Sequence, residues 1–185
     1  MKTILESVSH LNHFYPTVAA VVAVHGKERP NALACAWHSP LSFSPPLYGV
    51  LISEKRYSYR LIVEAGGFSV NFLPFEQAEK IAGVGRNSGR DMDKFAVFDL
   101  KTEPTEALAP ILQDAYAAYE CRLVERHVCG DHDLFVGEIV RIHMDEAAFE
   151  ETVLAVGRVH PALYLGADLY TTTAEISPRR LRGKK

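Results

Sequence analysis

The sequence predicts one β-rich domain, an antiparallel barrel with two inserted helices. Three observations carry that expectation. Apolar or alternating runs of strand length recur along the chain. Most are joined by hairpin-sized turns, and only two stretches switch to helical spacing. A chain of 185 residues, 48% hydrophobic and 23% charged, can bury one ordinary core without disulfides or metal.

The elements follow in order. Thr17 to Val24 (TVAAVVAV) is valine-rich and too short for a typical helix, so it reads as a buried strand. His25 to Pro30 is a polar turn, and Asn31 to His38 (NALACAWH) is its hairpin partner. Ser39 to Pro46 reads as a proline- and serine-rich loop, followed by a strand at Leu47 to Ile52. Lys55 to Ala65 places Ser58, Leu61, Ile62 and Ala65 on one helical face, and Gly66-Gly67 stops it. Phe68 to Leu73 alternates like a strand, and Pro74 opens a second helix running to about Val84. Gly85 to Asp99 reads as loop. Within Pro110 to Val128 lies a strand in which Tyr119, Cys121 and Leu123 alternate with Glu120 and Arg122. The turn Cys129 to Asp133 leads into a strand from Leu134 to Met144, interrupted by Gly137. A short strand at Ala162 to Leu165, with Tyr170 beyond, comes last. The expected domain spans residues 1–176, and the basic tail 177–185 is expected to be disordered.

Charge and cysteine usage exclude several classes. The last nine residues hold five bases and no acid, so the body carries 15 bases against 23 acids. So acidic a body is a poor partner for nucleic acid, where phosphate neutralisation supplies most of the affinity. Cys35, Cys121 and Cys129 form an odd set without C-x-x-C spacing, which argues against a disulfide framework and suits a reducing cytoplasm. The first residues lack the apolar core of a signal peptide. Pro30 to Ser53 runs for 24 residues without a charged side chain, but four prolines, four serines and His38 disqualify it as a membrane span.

That uncharged stretch is the first functional clue. It offers an apolar wall, stiff backbone and the hydroxyls of Ser39, Ser42 and Ser44, suited to a flat, neutral, heteroaromatic ligand; it suits a barrel core with a stiffened loop as well. Immediately after it, Ser53-Glu-Lys55-Arg56-Tyr57-Ser58 opens a helix. Free amides, two cations and a hydroxyl there make a phosphate cradle, and cations at a helix start are otherwise mildly unfavourable. An apolar wall joined to an anion site describes an aromatic mononucleotide such as FMN. Trp37, the only tryptophan, lies on the wall strand, either as a buried anchor or at a ring edge. His132 lies in a polar turn, solvated or facing a ligand. Gly83-Val-Gly85-Arg-Asn-Ser-Gly89 has neither Rossmann nor Walker spacing, and His127, Cys129 and His132 lack a fourth ligand for zinc.

At these residues the sequence resembles the flavin reductase-like family. The carrying segments are NALACAWHSPLSFSPPL (Asn31 to Leu47), EKRYS (Glu54 to Ser58), GFSVN (Gly67 to Asn71), SGRDMDKF (Ser88 to Phe95), AYEC (Ala118 to Cys121) and GDHDLFVGEI (Gly130 to Ile139). The tryptophan with R-Y-S is similar to the flavoredoxin and two-component monooxygenase reductase branch. The resemblance implies a mainly β (α+β) fold, an FMN-binding, Greek-key-like split β-barrel, and a homodimer with FMN at the dimer interface. FAD is an alternative cofactor, and NAD(P)H is the implied cosubstrate. By carry-over, Asn31, Ala32, Cys35, Ala36 and Trp37, with His38, Ser39, Leu41 and Ser42 of the following loop, would line the isoalloxazine. Ser53, Lys55, Arg56 and Ser58 would hold the phosphate, helped by Arg90 or Lys94, and His132 would sit near the flavin face where nicotinamide stacks. Ala34, Cys35 and Ala36 depart from the hydroxyl residues common there. The implied activity is hydride transfer from NAD(P)H to flavin, with electrons passed to free flavin, a monooxygenase or another acceptor. Rival readings are a flavoredoxin-like carrier, a substrate-processing flavoprotein, and a split barrel that binds haem or nothing.

Overall fold

The computed structural model describes residues 2–4, 6–8, 11–104 and 106–174. The basic tail and its expected disorder lie outside the described residues. In chain order the elements are β1 (Thr17–Val18), β2 (Ala20–Val24), β3 (Asn31–Cys35), β4 (His38–Phe43), β5 (Pro46–Ile52), α1 (Tyr57–Ala65) and β6 (Gly67–Phe72). They continue with α2 (Ala78–Arg86), α3 (Lys94–Val97), β7 (Ala117–Cys129), β8 (His132–Met144), β9 (Phe149–Glu150), β10 (Val153–Leu154), β11 (Leu163–Gly166) and β12 (Leu169–Thr171).

Seven strands form the main antiparallel sheet in the order β3-β2-β6-β7-β8-β5-β4. Its first and last strands are consecutive in sequence and joined only by Ala36 and Trp37, so the sheet must curl until its ends meet. The Leu51 amide donates to the Trp37 carbonyl at 2.9 Å, carrying the β4–β5 ladder into that link. No ladder zips β3 to β5 among the described residues, and the barrel is therefore split there.

The all-apolar character of β2 has a direct cause: both of its faces are buried. Val22 and Val24 point into a core with Val50, Ile52, Phe68, Val70 and Phe135. Val21 and Ala23 face the other way, against Ile81 and Val84 of α2, with Leu73, Leu100 and Leu112. Helix α1 caps the first core with Leu61 and Ile62 and ends at Gly66 in the left-handed conformation, as its glycine pair predicts. Gly137 serves packing: a Cβ there would press within 2.7 Å of the Phe68 ring.

Several expectations need correction. The segment Ser39 to Pro46 is not a loop, because β4 pairs with β5 from His38↔Val50 to Phe43↔Pro46. Pro40 is compatible with that strand because β4 is a sheet edge, where a missing N–H leaves no ladder bond unmade. Gly85 to Asp99 contains the end of α2 and the whole of α3, the latter capped by the Asp93 carboxylate accepting from the Phe95 and Ala96 amides. The Cys129 to Asp133 turn is shorter than expected, since Cys129 and His132 already pair across the hairpin. Glu120, on the polar side of the alternation, is 1% exposed. Its carboxylate accepts from the Leu108 amide, Arg141 and His143, which makes burial tolerable.

Candidate functional site

The first turn of α1 meets β3 at a cavity of about 200 Å³. Five cations line it, Lys55, Arg56, Arg86, Arg90 and Lys94, and among the described residues no carboxylate does. Arg56 is the N-cap of α1, and neither a side-chain cap nor an acid satisfies the first turn. The amides that the helix cannot use internally are thus left for another acceptor. Ser58 is buried and accepts a hydrogen bond from Asn31 Nδ2 at 2.7 Å, which leaves its own proton to donate. Asn31 Oδ1 is buried without a partner among the described residues, a costly state that a ligand hydroxyl would relieve.

Lys94 enters from α3. It is 4% exposed, and its ammonium donates to the Ala32 and Val84 carbonyls at 2.7 Å each, tying β3 to α2. Burial, and then the nearby Arg56 charge, lower its pKa to about 8. The rim segment of residues 86–90 is held by its own bonds. Arg29 donates to the Gly89 carbonyl at 2.9 Å, and Asn87 donates back to Gly83. Gly89 lies so close to Asn31 and Tyr57 that any Cβ would collide.

A second cavity of about 200 Å³ shares Ala34, Arg56, Gly85 and Arg86 with the first. Its walls are small, with Ala19, Ala34, Cys35, Ala36 and Ala82, and its rim carries Tyr164, Tyr170 and Asp168. Arg86 and Asp168 form an ion pair at 3.2 Å beside it. A floor of alanines next to a cationic cavity can seat a flat ring whose tail ends in an anion. Burial raises the Cys35 thiol to about 11, so it stays protonated and unreactive at neutral pH.

The structure thus gathers Asn31, Lys55, Arg56, Ser58, Arg90 and Lys94 around one cavity, and Cys35 and Ala36 around the next. Ala32 contributes its carbonyl to Lys94 and is otherwise core. Ser53 stands outside the lining and closes the preceding turn by accepting from the Arg56 amide at 2.9 Å. His38 faces inward: Nδ1 lies 2.7 Å from the Tyr48 hydroxyl and Nε2 2.8 Å from the Val18 carbonyl, and burial lowers its pKa. Ser39, Leu41 and Ser42 lie on exposed edge strand β4, away from both cavities. Trp37 donates to the Tyr15 hydroxyl and packs against His132, ring centres 4.9 Å apart. His132 Nδ1 lies 2.8 Å from Asp131 Oδ1. Sequence reasoning missed Arg86 and Asn87 of the rim and the Tyr164–Tyr170 wall, while Ser88 to Arg90 of the same rim lay in a segment that carries the family resemblance.

Among the described residues no cluster is placed to hold a metal, and no helix is long and apolar enough to cross a membrane. The fold and these cavities define a split barrel with a cation-lined pocket beside an alanine-floored slot. Residues 11–172 match the flavin reductase like domain, and the chain belongs to the flavin reductase-like family. The FMN-binding protein from Thermus thermophilus, solved with 1-cyclohex-2-enone bound, is similar at a TM-score of 0.85 and 38% identity, over 97% of this chain and 99% of that one. The NADH-dependent FMN reductase AsuE2 of Streptomyces nodosus subsp. asukaensis is 32% identical over 72% of this chain and 71% of its own length. The reductase subunit HsaB of a flavin-dependent monooxygenase from Mycobacterium tuberculosis is 30% identical over 71% and 67%.

Proposed function

We propose that this chain is a cytoplasmic, FMN-dependent NAD(P)H:flavin oxidoreductase that works as a homodimer and passes electrons to free flavin or to a monooxygenase partner. One observation carries the reading: a cation-lined cavity with an orphaned buried Asn31 oxygen opens beside an alanine-floored slot in a chain of this family. The residues present fit the cofactor, since the cations and the bare α1 turn suit a phosphate while Ala34 and Ala36 leave room for a planar ring.

When bound, FMN supplies the redox chemistry, accepting a hydride and releasing its electrons to an acceptor. The chain's task is to hold and to orient. Lys55, Arg56 and Arg90 neutralise the phosphate, and Ser58 donates a hydroxyl proton that Asn31 aims by occupying its oxygen. Lys94 holds β3 against α2 and keeps the two cavities in register. Backbone amides of β3 and the Ala36–Trp37 link offer fixed dipoles for charge developing on the ring. His132, set on the Trp37 ring, orients the nicotinamide. No protein nucleophile is needed, consistent with a protonated, buried Cys35.

The decisive experiment is a visible spectrum of the purified, FMN-reconstituted protein, repeated anaerobically after NADH and then NADPH. The reading expects a yellow protein that bleaches promptly. A yellow protein that bleaches with neither nucleotide would make it a carrier, and failure to bind FMN would remove the cofactor.

A further inference from the structure

The wall that β11 and β12 put on the alanine-floored slot is lightly anchored. These strands form a separate three-stranded sheet with β1, in which β11 meets β1 at Thr17↔Tyr164 and Val18↔Leu163 and β12 pairs with β11 alone. The tip of their hairpin is also strained. Ala167 (φ 49°) and Asp168 (φ 62°) are consecutive non-glycine residues in the left-handed region, which L side chains disfavour. Its ties are local or exposed. The Gly166 backbone sits against the Asn12 side chain, and the Asp168 amide reaches the Tyr164 hydroxyl at 3.4 Å. The Asp168 carboxylate crosses to Arg86, the last residue of α2, at 3.2 Å.

That ion pair stands where a ligand has to pass. Arg86 lines both cavities and Asp168 lines the slot. A ligand with its ring in the slot and its phosphate in the inner cavity must run through the segment they share, past Ala34, Gly85 and Arg86. The paired side chains are 56% and 58% exposed, while Ala19 and Ala82 of the slot are buried, so the pair lies on the outer side. With the pair made, the slot holds about 200 Å³, below the roughly 300 Å³ at which ligand pockets begin. The Tyr170 hydroxyl on the same wall feels both charges: burial, Tyr164 and Asp168 raise it to about 12, and Arg86 pulls the other way.

We infer that Arg86 and Asp168 form a latch, an ion pair that holds the β11–β12 hairpin shut over the slot and parts to let the flavin in and out. This rests on the reading of the two cavities as the flavin seat. The magnitudes suit a latch that opens readily. So exposed a pair biases its closed form by up to about fivefold, and the strained tip pushes the other way.

Asp168→Asn tests it, because asparagine removes the charge and still tolerates the left-handed region. In the flavin-free protein, hydrogen exchange of residues 166–171 should rise about two- to fivefold in that variant. It should fall in Ala167→Gly, which relieves the strain and leaves the pair intact. Unchanged exchange in Asp168→Asn, or faster exchange in Ala167→Gly, overturns the latch. Stopped-flow FMN fluorescence then reads the passage itself. Association and dissociation should both quicken in Asp168→Asn by a similar factor, up to about fivefold. Affinity should change little, and about 0.5 M salt should narrow the gap from wild type. A carboxylate that only repelled the phosphate would slow release when removed, and a merely structural tie would speed release alone. Either result overturns the latch as the flavin's gate. FMN that fails to bind wild type, while exchange still responds to Asp168→Asn, overturns the flavin reading and leaves the latch standing.

Discussion

Two parts of the fold treat positive charge in opposite ways. On the β7–β8 side two buried carboxylates gather the cations around them. Arg126 pairs with Asp133 at 3.4 Å, and Arg141 and His143 converge on Glu120. Asp133 and Glu120 are 3% and 1% exposed. On the β3 side five cations line one cavity, and no carboxylate among the described residues joins them. The first arrangement neutralises charge within the fold and so builds structure. The second leaves like charges adjacent, which costs stability unless an anion joins them. Substitutions on the two sides should therefore fail in different assays.

The largest effect is expected at Asp133. Its carboxylate accepts a 2.5 Å hydrogen bond from Tyr59, and that bond, followed by burial, raises the Tyr59 hydroxyl to about 12. Asp133→Ala leaves the Tyr59 hydroxyl only its longer bond to Glu54, at 3.3 Å, and strands the Arg126 guanidinium. Because the Arg126 side chain is 42% exposed and keeps some water, the loss should be about 2–3 kcal/mol rather than the full cost of breaking a buried pair. Urea unfolding of the flavin-free protein measures it. A loss under about 0.5 kcal/mol would place Asp133 with the weak surface pairs and erase the contrast.

Arg56→Ala should do the reverse. Removing one charge-assisted partner of a phosphate costs about 1.5–3 kcal/mol of binding, or roughly ten- to a hundredfold in FMN affinity. The unfolding midpoint of the flavin-free protein should hold or rise, since a neighbour that disfavours charge on Lys94 is gone. Flavin fluorescence titration beside urea unfolding separates the two. A variant that loses stability while keeping FMN affinity would make Arg56 a structural residue.

This division was only half legible in the sequence. The wall strand, the α1 start and its cations were readable because they are local: an apolar run, a helical period, and Lys55-Arg56 at a helix start. Contributions that depend on return of the chain were not. Arg86 and Gly89 reach the cavity from the end of α2, and Tyr164 and Tyr170 from a terminal hairpin, at distances no periodicity encodes. Local reading also misled on the secondary structure of Ser39 to Pro46. Proline and serine content suggested a loop, while the alternation of Leu41 and Phe43 was the neglected strand signal of β4. Glu120 misled for a related reason: a charged residue in an alternating strand reads as solvent-facing, and only Arg141 and His143 across the ladder reveal why it is not.

A smaller, purely kinetic effect belongs to His132. It touches the Trp37 ring and Asp131, and it lines neither cavity. His132→Ala should leave FMN affinity unchanged and slow flavin reduction by NADH about tenfold, the scale of one lost orienting contact. Anaerobic stopped-flow absorbance reads it, and an unchanged rate would remove His132 from the mechanism.

The smallest effect sharpens the contrast most, because here binding and stability move oppositely with pH. Lys94 titrates near 8 in the folded chain, lowered by burial and then by Arg56, against 10.5 when exposed. Between those values the unfolded chain holds the proton and the folded chain has released it, so this group raises folding stability as pH climbs through the window. An anion in the cavity favours the charged ammonium, so FMN affinity should fall as pH rises past about 8. FMN titrations and urea midpoints taken from pH 7 to 10 should then diverge in sign, with Lys94→Met flattening both curves relative to wild type. Affinity and stability falling together above pH 8, in wild type and variant alike, would trace the pH dependence to general loosening of the fold and not to this ammonium.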